Sequence, residues 1–514
     1  GIFGTADNTR AAMTKPPYLT KSRYLDGLRC EKKLWLGCYE RLPYAEAPPF
    51  SVLDTGERIG KGAWALFPGG VEVAEKPWEH AAAVASTGAL MASDVPAIFE
   101  GAFEFDNVRI RVDVLERLDS GWGLREVKSS TSATEKKGHI DDVAVQLYVL
   151  QGCGLEVASV ELIHVNSDYL LDESGIVWPE MLVRHDLSTE AHERLPQVAR
   201  QLPGLFAVLA ESAAPEVYAT KSLCNNPYRC DYFDKCMAAK PEDWVGLLYR
   251  IYPNRLAALT AQGIESIPDI PEDFKLPEQQ AHALDCLCSG QPWVAKELTA
   301  ALKSFAPPAY YMDFETMVPG IPAYPDTRPF EHIPFQWSLH YSAEDGALLH
   351  KFFLAQGDND PRREFAEKLI AGFERHDLPV VVYNQGYELR VLEALCGTFP
   401  DLADDLGVIV KNVVDLLPVV RNNVCHPGFI SKRSLDAGTY SIKNVLPALV
   451  PGMSYSDLDG VAEGGEASRV FTAMVFGAYS GQEANTYRQQ LLDYCERDTL
   501  AMVEIQRALE ALAA

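Results

Sequence analysis

The stretch Ala309–Met317, which reads AYYMDFETM, constrains the fold around it more than any other segment of the chain. It is a short apolar run that presents two acids, Asp313 and Glu315, one residue apart. A β-strand points alternate residues to the same face, so both carboxylates face one way while Phe314 faces the other. Two carboxylates on one face repel each other unless a cation lies between them. Because hard oxygen ligands suit magnesium or manganese, the stretch predicts a strand that carries part of a metal site.

Length and charge limit the classes of protein to consider. The chain has 514 residues, of which 47% are hydrophobic, enough for two or three domains. Its net charge of −26 argues against a protein that coats nucleic acid non-specifically, but a nuclease can still have local basic residues. No apolar run approaches membrane-spanning length and no signal-peptide pattern opens the chain, so we expect a cytoplasmic protein without a membrane partner. Residues 1–17 are predicted to be a leader or a tag remnant, with Met13 as the natural start.

Residues 97–130 have the pattern of an antiparallel meander, because three alternating runs are separated by two tight turns. This pattern places Asp113 on one strand and both Glu126 and Lys128 on the next, where the last two share a face. The acids would hold Mg²⁺ or Mn²⁺, and the lysine would place a cation beside a scissile phosphate. Gln146, on the helix predicted to follow, would contact the same site. The alternative is an exposed hairpin with a cross-strand ion pair and a solvated glutamine.

Three cysteines that lie about a hundred residues after the meander suggest a different kind of site. Cys224, Cys230 and Cys236 are evenly spaced in the loop-like stretch KSLCNNPYRCDYFDKC. Soft thiolates select zinc or an iron–sulfur cluster, and either group needs a fourth ligand. Cys30 is the best candidate for that ligand, because it would anchor the N-terminal helix, and Cys38 is the runner-up. On spacing alone, zinc and structural cysteines without a metal both remain open.

The candidate residues of the first half, taken in chain order, resemble one family; they are Cys30, Asp113, Glu126, Lys128, Gln146, Cys224, Cys230 and Cys236. The family is the RecB-type PD-(D/E)xK nucleases with an iron–sulfur cluster, which includes the exonuclease of CRISPR adaptation and the AddB nuclease domain. The resemblance covers roughly residues 18–240. It implies a restriction-endonuclease-type α/β core in which the acids bind metal, the lysine and glutamine assist catalysis, and the four cysteines hold a structural [4Fe–4S] cluster.

The first half departs from that family at one position. Many of its members have a histidine metal ligand after a glycine, and the matching stretch here, residues 56–60, has no histidine. The resemblance therefore implies either that the metal binds more weakly or that Glu100 contributes a ligand. After this half, residues 241–305 are predicted to be a connector in which residues 247–259 are helical. A helix-hairpin-helix motif and a plain spacer are the two interpretations of that connector.

In the second half, the pattern after Glu315 predicts a hairpin over residues 335–354 and then a strand that leads into a helix. Glu388 lies in the first turn of that helix, where a strand-to-helix crossover exposes side chains to a cleft. Residues 408–414 are predicted to be a further strand. The last helix carries Tyr494 and Asp498, which are four residues apart and therefore share one face.

The acids of the second half fit a two-metal phosphodiesterase, in which one ion activates water and the other steadies the leaving oxygen about 4 Å away. They resemble the DnaQ-like exonucleases of the ribonuclease H fold, in the tyrosine (DEDDy) subtype, whose pattern is D-x-E, a later acid after an Asn-containing strand end, and Y-x-x-x-D. The resemblance implies that residues 306–514 are a 3′→5′ exonuclease domain that uses Mg²⁺ or Mn²⁺. Its site residues would be Asp313, Glu315, Glu388, Tyr494 and Asp498, with Glu388 in place of the usual aspartate.

Taken together, the two halves predict an α/β protein with two nuclease domains that acts on DNA, more specifically on single-stranded ends, in repair or in defence against foreign DNA. A chain that combines these halves resembles a bacterial family long known as a domain of unknown function. Three alternatives remain open. They are an RNA exonuclease, a nucleic-acid-binding module in which one half is inactive, and a nucleotide-processing enzyme without a polymer substrate.

Overall fold

The computed structural model describes residues 18–134 and 138–514, so the predicted leader lies outside the described residues. The described chain is mixed α/β and divides into two compact units. The first unit comprises the described residues up to Ala47 together with Leu53–Tyr169 and Ile176–Asp234. The second unit comprises Lys235–Ala514 and two short segments from the earlier chain, Pro48–Val52 and Leu170–Gly175.

The first unit is built on one mixed sheet. Its strands are β1 (Leu19–Thr20), β2 (Val71–Glu72), β3 (Ala97–Phe105), β4 (Val108–Leu118), β5 (Gly121–Lys128), β6 (Val157–Val165) and β7 (Leu182–Asp186). The strand order is β2-β3-β4-β5-β6-β7, and β1 pairs in parallel with β4. Strands β3, β4 and β5 are antiparallel neighbours, which confirms the predicted meander. Strand β6 lies parallel to β5, as a helical crossover between them requires.

Helices surround this sheet and include that crossover. They are α1 (Lys21–Arg29), α2 (Glu31–Tyr39), α3 (Val52–Ala63), α4 (His80–Met91), α5 (His139–Gly152), α6 (Trp178–Met181), α7 (Ser188–Ala210) and α8 (Lys221–Asn225), whereas α9 (Phe233–Ala238) has only its first two residues in this unit. Thr20 caps α1, because its hydroxyl accepts a hydrogen bond from the backbone N–H of Arg23. Helix α5 connects β5 to β6, and its inner face is buried against the sheet and α7. The crossover therefore positions one face of α5 beside the ends of the meander strands.

The second unit contains a five-stranded sheet and a separate two-stranded ribbon. Its strands are β8 (Trp293–Val294), β9 (Ala309–Met317), β10 (Ile333–Ser342), β11 (Leu348–Leu354), β12 (Val380–Val382), β13 (Val413–Asp415) and β14 (Val424–Cys425). The large sheet has the order β11-β10-β9-β12-β13, and β8 pairs with β14. Strands β9, β10 and β11 are antiparallel, whereas β12 runs parallel to β9 and to β13. The predicted hairpin is confirmed as β10 and β11, and the strand of the opening motif is the central β9.

The helices of the second unit pack around this sheet. They are α10 (Pro253–Ala261), α11 (Glu278–Ser289), α12 (Leu298–Ala301), α13 (Arg362–Gly372), α14 (Gly386–Thr398), α15 (Ala403–Asn412), α16 (Leu416–Asn423), α17 (Ser434–Ala437), α18 (Ile442–Leu449), α19 (Gly464–Val475) and α20 (Gly481–Ala513). The long α20 packs along β9 and β10. Phe314 lies in the hydrophobic core, on the face of β9 opposite Asp313 and Glu315. In the part of the chain that the structure describes, no helix has the length and apolar content needed to cross a membrane.

Two predicted elements of the second unit differ from the structure. The helix predicted over residues 247–259 begins only at Pro253, whose fixed φ angle and missing N–H suit a first helical position. The strand predicted over residues 408–414 was wrong for most of its length, because α15 continues to Asn412 and only β13 is extended. Leu406 and Ile409 are three residues apart and are both buried, so helix packing overrides the β-propensity of this valine- and isoleucine-rich run.

Candidate functional site

Three carboxylates of the second unit converge at the face of β9 that lies opposite Phe314. Asp313 and Glu315 project from β9, and Asp498 projects from α20, which packs along that strand. One oxygen from each of the three carboxylates lies within 4.8 Å of the other two. Glu315 and Asp498 are each only 6% exposed. The alternation of the strand and the packing of the last helix thus place three predicted acids close enough to share a cation.

Glu388 enters the same cleft, which has a volume of about 460 Å³, from the first turn of α14. Its side chain is 3% exposed, and its Oε2 has no hydrogen-bond partner within the described residues. The turn before α14 is held by Asp415, whose carboxylate accepts hydrogen bonds from the backbone N–H groups of Asn384 (2.9 Å) and Gln385 (3.2 Å). Asp415 therefore fixes the start of the helix that aims Glu388 into the cleft.

Two tyrosines bind Asp498. Tyr494 lies one turn earlier on α20, is 4% exposed and forms a side-chain hydrogen bond to Asp498. Tyr455, in the segment between α18 and α19, donates its hydroxyl hydrogen to Oδ1 of Asp498. The Lys443 ammonium lies 5.5 Å from the ring centroid of Tyr455 and 5.1 Å from that of Tyr494, and it donates a hydrogen bond to the carbonyl of Ala462 at 2.7 Å. Lys443 therefore places a positive charge beside the acids.

Burial raises the pKa values of all four acids, and repulsion from neighbouring carboxylates raises those of Asp313, Glu315 and Glu388 further. Burial raises the pKa of Asp313, and the charges of Asp498, Glu315 and Glu388 raise it further. The pKa of Glu315 is raised for the same reasons, burial first, although Lys443 opposes the shift. Burial raises the pKa of Glu388 to about 8, with Asp415 and Asp498 adding to it. Burial also raises the pKa of Asp498 to about 6, and the Tyr455 hydrogen bond and Lys443 keep it from rising more.

This donor set fits a divalent cation. All the convergent atoms are hard carboxylate oxygens, which are the preferred ligands of Mg²⁺ and Mn²⁺. The carboxylates are too close together to be ionised at once without a compensating charge. The buried Oε2 of Glu388, which has no partner among the described residues, is one further oxygen that a cation would satisfy. Asp313, Glu315, Asp498 and Glu388 are therefore the residues that would hold metal in this unit.

The first unit brings its predicted acids, lysine and glutamine together beneath α5. Asp113 lies on β4, and its Oδ2 accepts a hydrogen bond from the backbone N–H of Val127 at 2.7 Å. On β5, Glu126 is 1% exposed and accepts a hydrogen bond through Oε2 from the amide nitrogen of Gln146 at 2.7 Å. The Lys128 ammonium lies 2.6 Å from Oε1 of Glu126. The meander and the crossover helix thus place all four predicted residues in one site.

Two charged residues that the sequence prediction did not include also belong to this site. The Lys21 ammonium of α1 lies 2.7 Å from Oε1 of Glu126 and 3.3 Å from Oδ1 of Asp142 on α5. Lys128 also contacts Asp142, at 2.5 Å. Burial favours the neutral form of Glu126, but Lys128 and Lys21 outweigh it and hold the pKa of that carboxyl well below its usual range. Burial and the charge of Glu126 raise the pKa of Asp113 to about 7.

The acids of the first unit line a cleft of about 580 Å³. Glu100, the alternative ligand considered for the missing histidine, lines the same cleft as Asp113, and burial raises the pKa of its carboxyl. Lys61 and Arg111 line the cleft together with Lys21 and Lys128. Positive side chains therefore lie beside the carboxylates in this cleft, and some of them form ion pairs with those acids.

Three of the four predicted cluster cysteines belong to the first unit. Cys30 stands between α1 and α2, Cys224 lies on α8, and the backbone N–H of Cys230 donates a hydrogen bond to the carbonyl of Cys224 at 2.7 Å. The guanidinium of Arg29, the neighbour of Cys30, donates a hydrogen bond to the same carbonyl at 2.8 Å. Cys236 lies on α9. The binding of an iron–sulfur cluster or zinc by these cysteines stays a prediction.

Sequence reasoning missed four residues that shape the two sites. Tyr455 and Lys443 reach Asp498 from segments that show no pattern pointing to α20, and Lys21 reaches Glu126 across the sheet, so no spacing in the sequence indicates these contacts. Asp142 is different, because it lies four residues before Gln146 on a predicted helix. That i, i+4 spacing placed it on the face of Gln146 and was a usable signal.

A family model described as "Domain of unknown function (DUF2779)" matches residues 310–434. The matched segment includes Asp313, Glu315 and Glu388, and it ends before Tyr494 and Asp498. No curated protein matches the chain.

Proposed function

We propose that the second unit is a metal-dependent 3′→5′ exonuclease that acts on DNA, with single-stranded ends as its preferred substrate. The observation that carries this proposal is the convergence of the Asp313, Glu315 and Asp498 carboxylates within 4.8 Å of one another. The strand order β11-β10-β9-β12-β13 and the resemblance to DnaQ-like exonucleases support the same function.

Each residue of this site has a role that follows from its position. The carboxylates of β9 and α20, with Glu388, would hold two divalent ions, which would supply an activated water and offset the charge of the phosphate. Tyr494 borders the cleft beside Asp498, where its hydroxyl orients the attacking water. Lys443 lowers the negative potential around Glu315 and Asp498, which allows a phosphate to approach.

The first unit supports a second phosphodiesterase site of the RecB-like type. Asp113 and Glu126 would bind Mg²⁺ or Mn²⁺, with Glu100 as a further oxygen ligand in the same cleft. Lys128 would contact the scissile phosphate, and Gln146 holds Glu126 in place through a 2.7 Å hydrogen bond. In this proposal the four predicted cysteines hold a structural [4Fe–4S] cluster. The cations that line the cleft support DNA as the partner of a chain whose net charge is −26.

Single substitutions in the two sites test the assignment. Asp313→Asn keeps the shape of the side chain but removes a charged ligand, and Asp113→Asn does the same in the first unit. We expect Asp313→Asn to slow 3′→5′ shortening of a 5′-labelled single strand by on the order of 10²–10³-fold. Asp345→Asn, in the exposed turn between β10 and β11, is the matched control and should retain the wild-type rate.

The same assay compares substrates. Labelled DNA and RNA strands of one sequence and the corresponding free nucleotide are incubated with the protein in Mg²⁺ and, separately, in Mn²⁺. We expect the protein to shorten DNA faster than RNA. If Asp313→Asn loses the shortening of DNA, that activity belongs to the second unit. Equal or faster shortening of RNA would show that DNA is not the preferred substrate. Shortening that is unchanged in Asp313→Asn would overturn the proposed site.

A further inference from the structure

A second group of metal-ligand side chains lies on the second unit, and the proposed nuclease site does not use it. His340 on β10 and His350 on β11 are directly paired across the hairpin, and their rings stack with centroids 4.4 Å apart. Glu496 reaches them from α20. One ligand atom from each of the three side chains lies within 4.8 Å of the other two. Two imidazoles and one carboxylate from three elements therefore meet at one point.

Hydroxyl groups orient both imidazole rings. Thr499 Oγ1 lies 2.8 Å from Nδ1 of His340, and Ser338 Oγ lies 2.9 Å from Nε2 of His350. The two hydroxyls also bond to each other at 2.7 Å. The second nitrogen of His350, Nδ1, faces Glu496 at 3.6 Å. Holding one nitrogen of a histidine with a second-shell hydrogen bond is how proteins present the other nitrogen to a metal ion.

The accessibility of the group suits a metal ion. His340 is buried, whereas the side chains of His350 and Glu496 are 21% and 48% exposed. An ion can thus reach the group from solvent, and the buried ring of His340 would hold the side of the ion that faces the protein interior.

We propose that His340, His350 and Glu496 bind a zinc ion that fastens α20 to the β10–β11 hairpin. Imidazole nitrogen suits zinc and other late transition metals, whereas Mg²⁺ prefers oxygen ligands, so this group and the carboxylate cleft select different ions. Three protein ligands leave the fourth tetrahedral position to water. Because α20 also carries Tyr494 and Asp498, the ion would stabilise the helix that completes the acidic site.

Zinc content and thermal stability test this proposal on the full chain. His350→Gln and Glu496→Gln each remove one ligand, and Asp493→Asn changes an exposed acid on the same helix as a matched control. Each protein is equilibrated with buffered zinc in excess Mg²⁺, which occupies the carboxylate cleft, and bound zinc is measured by elemental analysis. Zinc bound by cysteines is common to all four proteins and cancels in the comparison.

We expect wild type and Asp493→Asn to bind roughly one zinc ion per chain more than His350→Gln does. Glu496→Gln should bind this additional ion at least about tenfold more weakly than wild type does. Zinc should raise the melting temperature of wild type and Asp493→Asn but not of His350→Gln. Circular dichroism shows whether each variant is folded, and the exposed Glu496 keeps the test available if His350→Gln is not. Equal zinc content and equal melting shifts in all four proteins would overturn the site. This outcome is independent of nuclease activity.

Discussion

The Tyr455 hydroxyl donates a hydrogen bond to Oδ1 of Asp498, although the two residues lie 43 positions apart in the sequence. Tyr494 binds the same carboxylate from within α20. Asp498 is therefore held between two buried phenols, one on its own helix and one on the preceding connection. Hydrogen bonds to a carboxylate stabilise its charged form, so this pair of tyrosines keeps a buried acid available as a metal ligand.

Replacing Tyr455 with phenylalanine should shift the pH dependence of the nuclease activity proposed for the second unit. The hydrogen bond from Tyr455 lowers the pKa of Asp498, which is about 6, so its loss raises that pKa. The carboxylate then becomes protonated at a higher pH, and metal binding is lost there. We expect the acid limb of the rate profile, measured at fixed Mg²⁺, to move upward by roughly one pH unit.

Tyr324→Phe is the control for this substitution. Tyr324 is also buried in the second unit, but its hydroxyl donates a hydrogen bond to the carbonyl of Gly357. We expect the pH profile of Tyr324→Phe to match that of wild type. An acid limb that stays at the wild-type position in Tyr455→Phe would show that this hydrogen bond does not control the ionisation of Asp498.

Replacing Glu388 with glutamine should flatten the pH dependence of stability in the metal-free protein. The folded-state pKa of Glu388 is about 8, above the ordinary value of 4.5, so the folded chain binds a proton that the unfolded chain releases. This stabilisation is fully present below pH 4.5 and is lost as the pH rises toward 8, with a slope of at most about 1.4 kcal/mol per pH unit. Urea unfolding in a chelator measures it.

Glu393→Gln, on the exposed face of the same helix, is the matched control and should keep the wild-type pH dependence. Mg²⁺ should reverse the trend in wild type, because the cation replaces the bound proton and stabilises the folded state most where the carboxylates are ionised. A Glu388→Gln protein whose stability still falls between pH 5 and pH 8 as steeply as wild type would contradict the prediction.

Replacing Lys21 with methionine should destabilise the first unit. Lys21 contacts both Glu126 and Asp142, and its loss leaves these buried acids with Lys128 as their shared cation. We expect the free energy of unfolding to fall by about 1–3 kcal/mol. Lys61→Met is the control, because that ammonium forms an exposed i, i+4 pair with Glu57 and should cost less than about 0.5 kcal/mol. Similar losses in both variants would contradict a special role for Lys21.

Replacing Cys224 with serine should remove the iron–sulfur cluster predicted from the sequence. We expect anaerobically purified wild type to be brown and to contain iron, and Cys224→Ser to lose both the visible absorption and the iron. Cys30→Ser and Cys38→Ser, compared directly, identify the fourth ligand, for which Cys30 is the prediction. Cys286→Ser is the control, because this buried thiol donates a hydrogen bond to the carbonyl of Cys425. If the wild-type protein is colourless and contains zinc, the cysteines form a zinc site and not an iron–sulfur cluster.

The elements that the sequence predicted best are those with a regular period. The alternation in β9 predicts that Asp313 and Glu315 share one face of the strand, and the four-residue spacing in α20 predicts that Tyr494 and Asp498 share one face of the helix. The prediction of a strand over residues 408–414 was wrong for most of that range. Its β-branched residues favour a strand locally, but burial of one face of α15 makes them helical.

The rest of the site depends on contacts that no local pattern encodes. Tyr455 lies in an irregular connection, and Lys21 meets Glu126 only because α1 packs beside the sheet. Among the described residues, the lack of a hydrogen-bond partner for Glu388 Oε2 likewise reflects the three-dimensional cleft and not the position of Glu388 on its helix. Sequence reasoning therefore identifies candidate ligands that share one strand or one helix, but not the neighbours that shift their pKa values.

Separation along the chain makes completion of the acidic cleft depend on the docking of α20. Cys495, beside Asp498 on α20, contacts Asp313 across 182 residues of sequence. A nascent or partly melted chain in which α20 has not docked lacks Asp498 beside Glu388 and the two acids of β9. In the function proposed above, such a chain lacks one carboxylate of the two-metal site, so an immature molecule should not cut DNA.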